Sequence, residues 1–117
     1  MSGCEWVVEA HGCDAAVLRD RARLEQLFDR LIVELNLHPV QPPVWHGFPE
    51  PGGWTGFALL AESHLACHTF PEHGSLCLNL FCCRPRPPWD FAGQLRMLLG
   101  AARVEVRHLT RTYGGEA

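Results

Sequence analysis

The chain has 117 residues, which is enough for one domain and too few for two. Its composition, 47% hydrophobic and 20% charged, is typical of a globular protein, and a net charge of -3 argues against nucleic acid as a partner. All ten basic residues are arginine, which excludes lysine-dependent chemistry such as a pyridoxal-phosphate Schiff base or a P-loop.

The amino terminus has no basic segment followed by an apolar run, so we expect no signal peptide and a cytoplasmic protein with reduced cysteines. No stretch approaches the ~18 apolar residues that a membrane span needs, so we expect no membrane partner. The six cysteines include no C-x2-C pair of the kind that zinc sites use. We therefore predict no metal.

The first half of the chain predicts a strand, a long helix and a loop. Residues 5–10 (EWVVEA) alternate as in a strand, and Asp14 is placed to cap one helix over residues 14–36. Residues 38–53 contain five prolines and three glycines, which predicts a loop with one short edge strand near residues 44–48. The apolar stripe of the helix consists of Val17, Leu24, Phe28, Leu31 and Leu35.

The middle of the chain predicts strands. Residues 54–61 (WTGFALLA) are apolar on both faces, which is typical of a central strand buried on both sides. Residues 65–70 continue as extended chain, residues 71–74 (PEHG) form a turn, and residues 75–83 (SLCLNLFCC) form another buried strand.

The last third predicts a loop over residues 84–89, a helix and a final strand. Asp90 is placed to cap the helix, and residues 103–109 alternate as in a strand. The order of elements predicts an α+β fold, a two-layer sandwich in which an antiparallel sheet carries two helices on one face. The predicted apolar face of this helix consists of Phe91, Leu95, Leu98 and Ala102.

The densest cluster of polar groups, residues 60–72 (LAESHLACHTFPE), lies between two predicted core strands. Buried polar groups cost free energy unless they are paired, so such a cluster indicates function. Ser63 and His64 suggest a hydrolase at first sight, but there is no G-x-S-x-G elbow. Adjacent side chains on an extended chain also point apart, which disfavours a serine hydrolase.

Residues 59–83 (LLAESHLACHTFPEHGSLCLNLFCC) resemble the processing and active-site signature of the prokaryotic S-adenosylmethionine decarboxylases. The resemblance extends upstream through residues 51–56 (PGGWTG) and downstream to the last predicted strand, so it covers nearly the whole chain. It implies a pyruvoyl-dependent enzyme of polyamine and spermidine biosynthesis, made as a proenzyme that cleaves itself between Glu62 and Ser63. Residues 1–62 would become the beta chain and residues 63–117 the alpha chain.

The resemblance also implies the roles of individual residues. Ser63 would become the pyruvoyl cofactor, whose ketone forms a Schiff base with the amine of the substrate. Thr55 and His68 match the hydroxyl and imidazole groups that support processing. Cys83 matches the catalytic proton donor, and Glu72 matches the carboxylate that binds the ribose hydroxyls.

Ser63 and His68 are five residues apart, so on a regular strand their side chains lie on opposite faces of the sheet. They cannot serve one site within one chain unless a bulge intervenes. The resemblance implies that two protomers pair, so that Ser63 and Cys83 of one chain meet Thr55, His68 and Glu72 of the other. We therefore expect a homodimer or a larger oligomer with sites at the protomer interface.

Three positions depart from the family pattern. Asn79 stands where the family usually has Asp, and Cys82 stands where a small hydroxyl residue is commoner. Phe48, the candidate for stacking on adenine, is one position early. Two alternatives follow: the same pyruvoyl chemistry on arginine or ornithine, or an unprocessed, non-catalytic homologue.

Overall fold

A computed structural model describes residues 1–115 and contains one six-stranded sheet in the order β2-β3-β4-β5-β1-β6. Every strand pairs with its neighbours in antiparallel fashion, which confirms the predicted α+β architecture. The strands are β1 (Gly3–His11), β2 (Val44–Gly47), β3 (Trp54–Leu60), β4 (Ser63–Phe70), β5 (Ser75–Cys82) and β6 (Arg103–Arg111). The helices are α1 (Ala15–Leu18), α2 (Arg21–Glu34) and α3 (Phe91–Leu99). The predicted edge strand is confirmed as β2.

The prediction of one helix over residues 14–36 is wrong, because the helix is interrupted after Leu18. Asp14 caps α1 as predicted, but Asp20 caps a second helix by accepting a hydrogen bond from the backbone of Ala22 at 3.1 Å. Two backbone carbonyls at this interruption accept hydrogen bonds from side chains of the sheet. Leu18 accepts from the Thr69 hydroxyl at 2.9 Å, and Arg19 accepts from the Trp54 indole at 2.8 Å.

The core lies between the helices and one face of the sheet. The helices contribute buried leucines and the two aromatic residues Phe28 and Phe91, and the strands contribute alternate side chains such as Val8 and Leu80. The prediction that Ala102 belongs to the apolar face of α3 is wrong. Gly100 ends α3 with a φ of 69°, in the left-handed region that favours glycine, and Ala102 is exposed.

The second face of the sheet is not covered by any helix within residues 1–115, and we call it the outer face. The prediction that residues 54–61 are buried on both sides is wrong for a single chain. Ala58 and Leu60 face the core, whereas Phe57 is 41% exposed and Leu59 is 43% exposed on the outer face. This leaves large apolar side chains in contact with solvent on an otherwise regular sheet.

Candidate active site

The peptide bond predicted to be cleaved, Glu62–Ser63, lies at the tight turn between β3 and β4. Leu60 and Ser63 are paired across the hairpin, so the turn consists of Ala61 and Glu62 alone. The backbone N–H of Cys83 donates a hydrogen bond of 2.7 Å to the carbonyl oxygen of Glu62. This carbonyl belongs to the Glu62–Ser63 peptide bond, so a donor already polarises the bond that the resemblance marks for cleavage.

The side chain of Glu62 is also held at this turn. Its carboxylate forms an ion pair with Arg84 at 3.1 Å. The Tyr113 hydroxyl donates to the backbone carbonyl of Cys83 at 3.0 Å. These residues line a cleft of about 400 Å³ that reaches the cleavage turn, which leaves room for a small molecule beside Cys83.

The two adjacent cysteines have different surroundings. Cys82 lies opposite Ser63 in the sheet, is buried against Cys4, and burial raises the pKa of its thiol to about 11. Cys83 is exposed at the cleft. Of the two thiols, only that of Cys83 is accessible to a molecule in the cleft.

The structure brings Thr55 and His68 together. They are paired across β3 and β4, and Thr55 Oγ1 lies 2.9 Å from His68 Nδ1. The pairing of β4 with β5 runs without a bulge from Ser63 to Phe70. Ser63 and His68 are thus on opposite faces of the sheet, as predicted, and about 17 Å apart along the strand.

Glu72 and Phe48 lie toward the end of β4 that is remote from Ser63. Glu72 is an exposed residue of a short 3-10 turn, Pro71–His73, that follows β4. The backbone of Phe48 bonds to Gly53 at 2.9 Å. A Cβ on Gly53 would lie 2.5 Å from the carbonyl oxygen of Thr69, so the glycine allows this loop to approach the end of β4. One chain therefore holds two separate halves of the predicted site.

The outer face carries a polar network that sequence reasoning missed. Arg107 forms a bidentate pair with Glu9 at 2.7 and 3.0 Å, and Arg111 pairs with Glu5. The hydrogen bond from Arg107 lowers the pKa of the Glu9 carboxyl, and a hydrogen bond from Asn79 is the main cause that lowers the pKa of Glu5. The sequence contained part of this signal: the spacing of four residues places Glu5 with Glu9, and Arg107 with Arg111, on one face of each strand, but it does not show that the two strands are neighbours.

Residues 1–115 contain neither a cluster of metal ligands nor a helix suited to span a membrane. No group of three His, Cys, Asp or Glu side chains in this part of the chain is arranged to hold a metal ion. No helix within it combines the length and the apolar character that crossing a membrane requires.

Comparison with known proteins gives one consistent family. The sequence profile of the family described as S-adenosylmethionine decarboxylase matches residues 4–112. An S-adenosylmethionine decarboxylase proenzyme of Acetivibrio thermocellus is 34% identical over 107 residues, which are 91% of this chain and 81% of that protein. A proenzyme of the same name from Pyrobaculum aerophilum is 35% identical over 111 residues, covering 91% and 85% of the two chains.

The fold also matches a solved structure. The crystal structure of the adenosylmethionine decarboxylase from Aquifex aeolicus superposes with a TM-score of 0.77, covering 93% of this chain and 89% of the other. Sequence identity in that comparison is 24%, so the match supports the fold.

Proposed function

The chain belongs to the S-adenosylmethionine decarboxylase family, and on this premise we propose that it cleaves itself at Glu62–Ser63 and then decarboxylates S-adenosylmethionine. One observation carries the proposal. The carbonyl oxygen of Glu62 accepts a 2.7 Å hydrogen bond from the backbone of Cys83. A donor at this place stabilises the negative charge that develops when the Ser63 hydroxyl attacks the neighbouring carbonyl carbon.

The cleavage chemistry follows from these residues. The Ser63 oxygen adds to the Glu62 carbonyl carbon, the peptide C–N bond breaks, and the hydroxyl proton passes to the released nitrogen, which leaves an ester. Removal of the Ser63 α-proton then expels the Glu62 carboxylate and leaves a dehydroalanine. Its imine tautomer takes up one water and releases ammonia, which leaves a pyruvoyl group on the chain that starts at residue 63.

The surroundings of Ser63 fit such a group. A pyruvoyl group supplies a ketone that condenses with an amine and a carbonyl that accepts electrons as CO2 leaves. The cleft of about 400 Å³ offers space for a substrate beside the turn. Exposed Cys83 lines this cleft, and we assign it the donation of a proton to the carbon that loses CO2.

The substrate is tested by a direct comparison. Glu72 has two acceptor oxygens, which suit vicinal ribose hydroxyls but also suit a basic side chain. We expect purified wild-type protein to release CO2 from S-adenosylmethionine and not from arginine or ornithine, each offered as the carboxyl-labelled compound. Release from arginine or ornithine alone would contradict the assigned substrate, and release from none of the three would support the non-catalytic alternative.

We further propose that the active unit is a homodimer. Ser63 and His68 are on opposite faces within one chain, so a complete site needs a second copy. The outer face is the surface on which Phe57 and Leu59 remain exposed, and it also carries His68. A second copy on this face would cover the apolar side chains and bring His68 to the partner.

That the protein is located in the cytoplasm stays a prediction.

Mixing two inactive variants tests the shared site. Neither Ser63→Ala nor His68→Ala alone is expected to cleave, because each lacks one half of every site. A mixed dimer contains one site with both wild-type residues, so the His68→Ala chain should be cleaved when the two are co-expressed. Differently tagged chains identify which one is cut on a denaturing gel. Mixed dimers that form without cleavage would contradict a site shared between protomers.

A further inference from the structure

His64, the residue after Ser63, is held from several sides on the outer face. Its ring is stacked between Phe57 and Phe81, with ring centroids 6.1 and 5.6 Å away and interplanar angles of 23° and 11°. Its Nε2 atom lies 3.1 Å from Oδ1 of Asn79. The family chemistry described above gives His64 no task, yet its ring has three defined contacts.

The orientation of the Asn79 amide is fixed by Glu5. Asn79 Nδ2 donates to the Glu5 carboxylate at 2.6 Å, and a carboxylate can only accept, so the amide oxygen must face His64. His64 Nε2 must then carry the hydrogen that it shares with Asn79. Arg111 pairs with Glu5 and also lies 5.4 Å from the ring centroid of Phe81, which closes the network.

From this network we propose that Asn79 is a positioning residue for self-cleavage. Held by Glu5, it fixes the imidazole of His64 and thereby the start of β4, where Ser63 must meet the Glu62 carbonyl. The inference rests on the proposed function. Cys83, the residue that follows β5, holds the carbonyl, whereas the His64 contacts hold the serine side of the same bond. Misplacement of reacting atoms by about 1 Å can cost a hundredfold in rate, so anchoring this strand end matters.

Exchanging the amide of Asn79 and the carboxylate of Glu5 between the two positions tests the proposal. Asn79→Asp keeps an acceptor for His64 but turns a carboxylate toward Glu5, so the contact becomes repulsive. We expect the first-order rate of cleavage to fall about tenfold, the effect of losing one such hydrogen bond. The double variant Glu5→Gln with Asn79→Asp restores a donor and an acceptor with the same total charge, and it should recover most of the rate.

The rate is measured on newly made proenzyme, by following the intact chain on denaturing gels after cell-free synthesis is stopped. The ¹⁵N chemical shift of His64 Nε2 reports whether that atom carries the hydrogen. Glu25→Gln is the control, because it removes a carboxylate that pairs with Arg21 on α2, on the opposite side of the sheet from His64. It should leave the cleavage rate unchanged.

Three outcomes would overturn the inference: cleavage of Asn79→Asp at the wild-type rate, no recovery in the double variant, or equal slowing by Glu25→Gln. A wild-type chain that never cleaves would instead contradict the proposed function. The two failures are therefore distinguishable within one experiment.

Discussion

Replacing Ser63 by alanine is expected to leave the chain at its full length. The substitution removes the hydroxyl that attacks the Glu62 carbonyl but keeps the β4 backbone and the 2.7 Å hydrogen bond from Cys83 to that carbonyl. The two turn residues, Ala61 and Glu62, carry no hydroxyl or thiol that could replace it. The purified variant should run as one band on a denaturing gel and should not react with a carbonyl-specific hydrazide.

Ser75→Ala is the matched control for this experiment. Ser75 begins β5 and bonds to the backbone of His73 at 3.2 Å, remote from the turn. It should be cleaved as the wild type is. Fragments of the same size from Ser63→Ala would show that a contaminating protease makes the cut.

Replacing Cys83 by alanine is expected to separate cleavage from decarboxylation. Cleavage should persist, because its donor is the backbone N–H, which alanine retains. Decarboxylation should fall by about 10²–10⁴-fold, the usual contribution of a group that transfers a proton. The measurement is CO2 release from S-adenosylmethionine per cleaved chain.

Cys82→Ala is the comparison variant, and it should cost little activity. Cys82 is buried, and burial raises the pKa of its thiol to about 11. A large loss with Cys82→Ala and a small loss with Cys83→Ala would mean that the roles of the two thiols are reversed.

Local patterns predicted most of the fold, and the division between α1 and α2 has a cause that is partly long-range. Asp14 and Asp90 cap helices as predicted, since capping depends on neighbouring residues alone. The interruption after Leu18 combines the local cap of Asp20 with hydrogen bonds from Trp54 and Thr69, which span 35 and 51 residues. Periodicity within one segment contains no information about such partners.

The sheet face on which each candidate site residue lies could be predicted, because these residues are close together in the sequence. The opposite faces of Ser63 and His68 followed from the period of a strand, and the unbroken register confirms them. The pairing of Glu5 with Arg111 joins residues 106 positions apart, so it could not be read from the motif. Only the sheet order, which places β6 beside β1, brings these two residues together.

The mass of the purified wild-type protein under denaturing conditions tests the central claim most directly. Self-cleavage predicts two species, residues 1–62 with an ordinary carboxyl end and residues 63–117. The second should be lighter than a serine-ended fragment by the difference between a serine and a pyruvoyl group, which is the mass of one ammonia. A single species with the mass of the uncleaved chain, or a second fragment that retains its serine, would contradict the account.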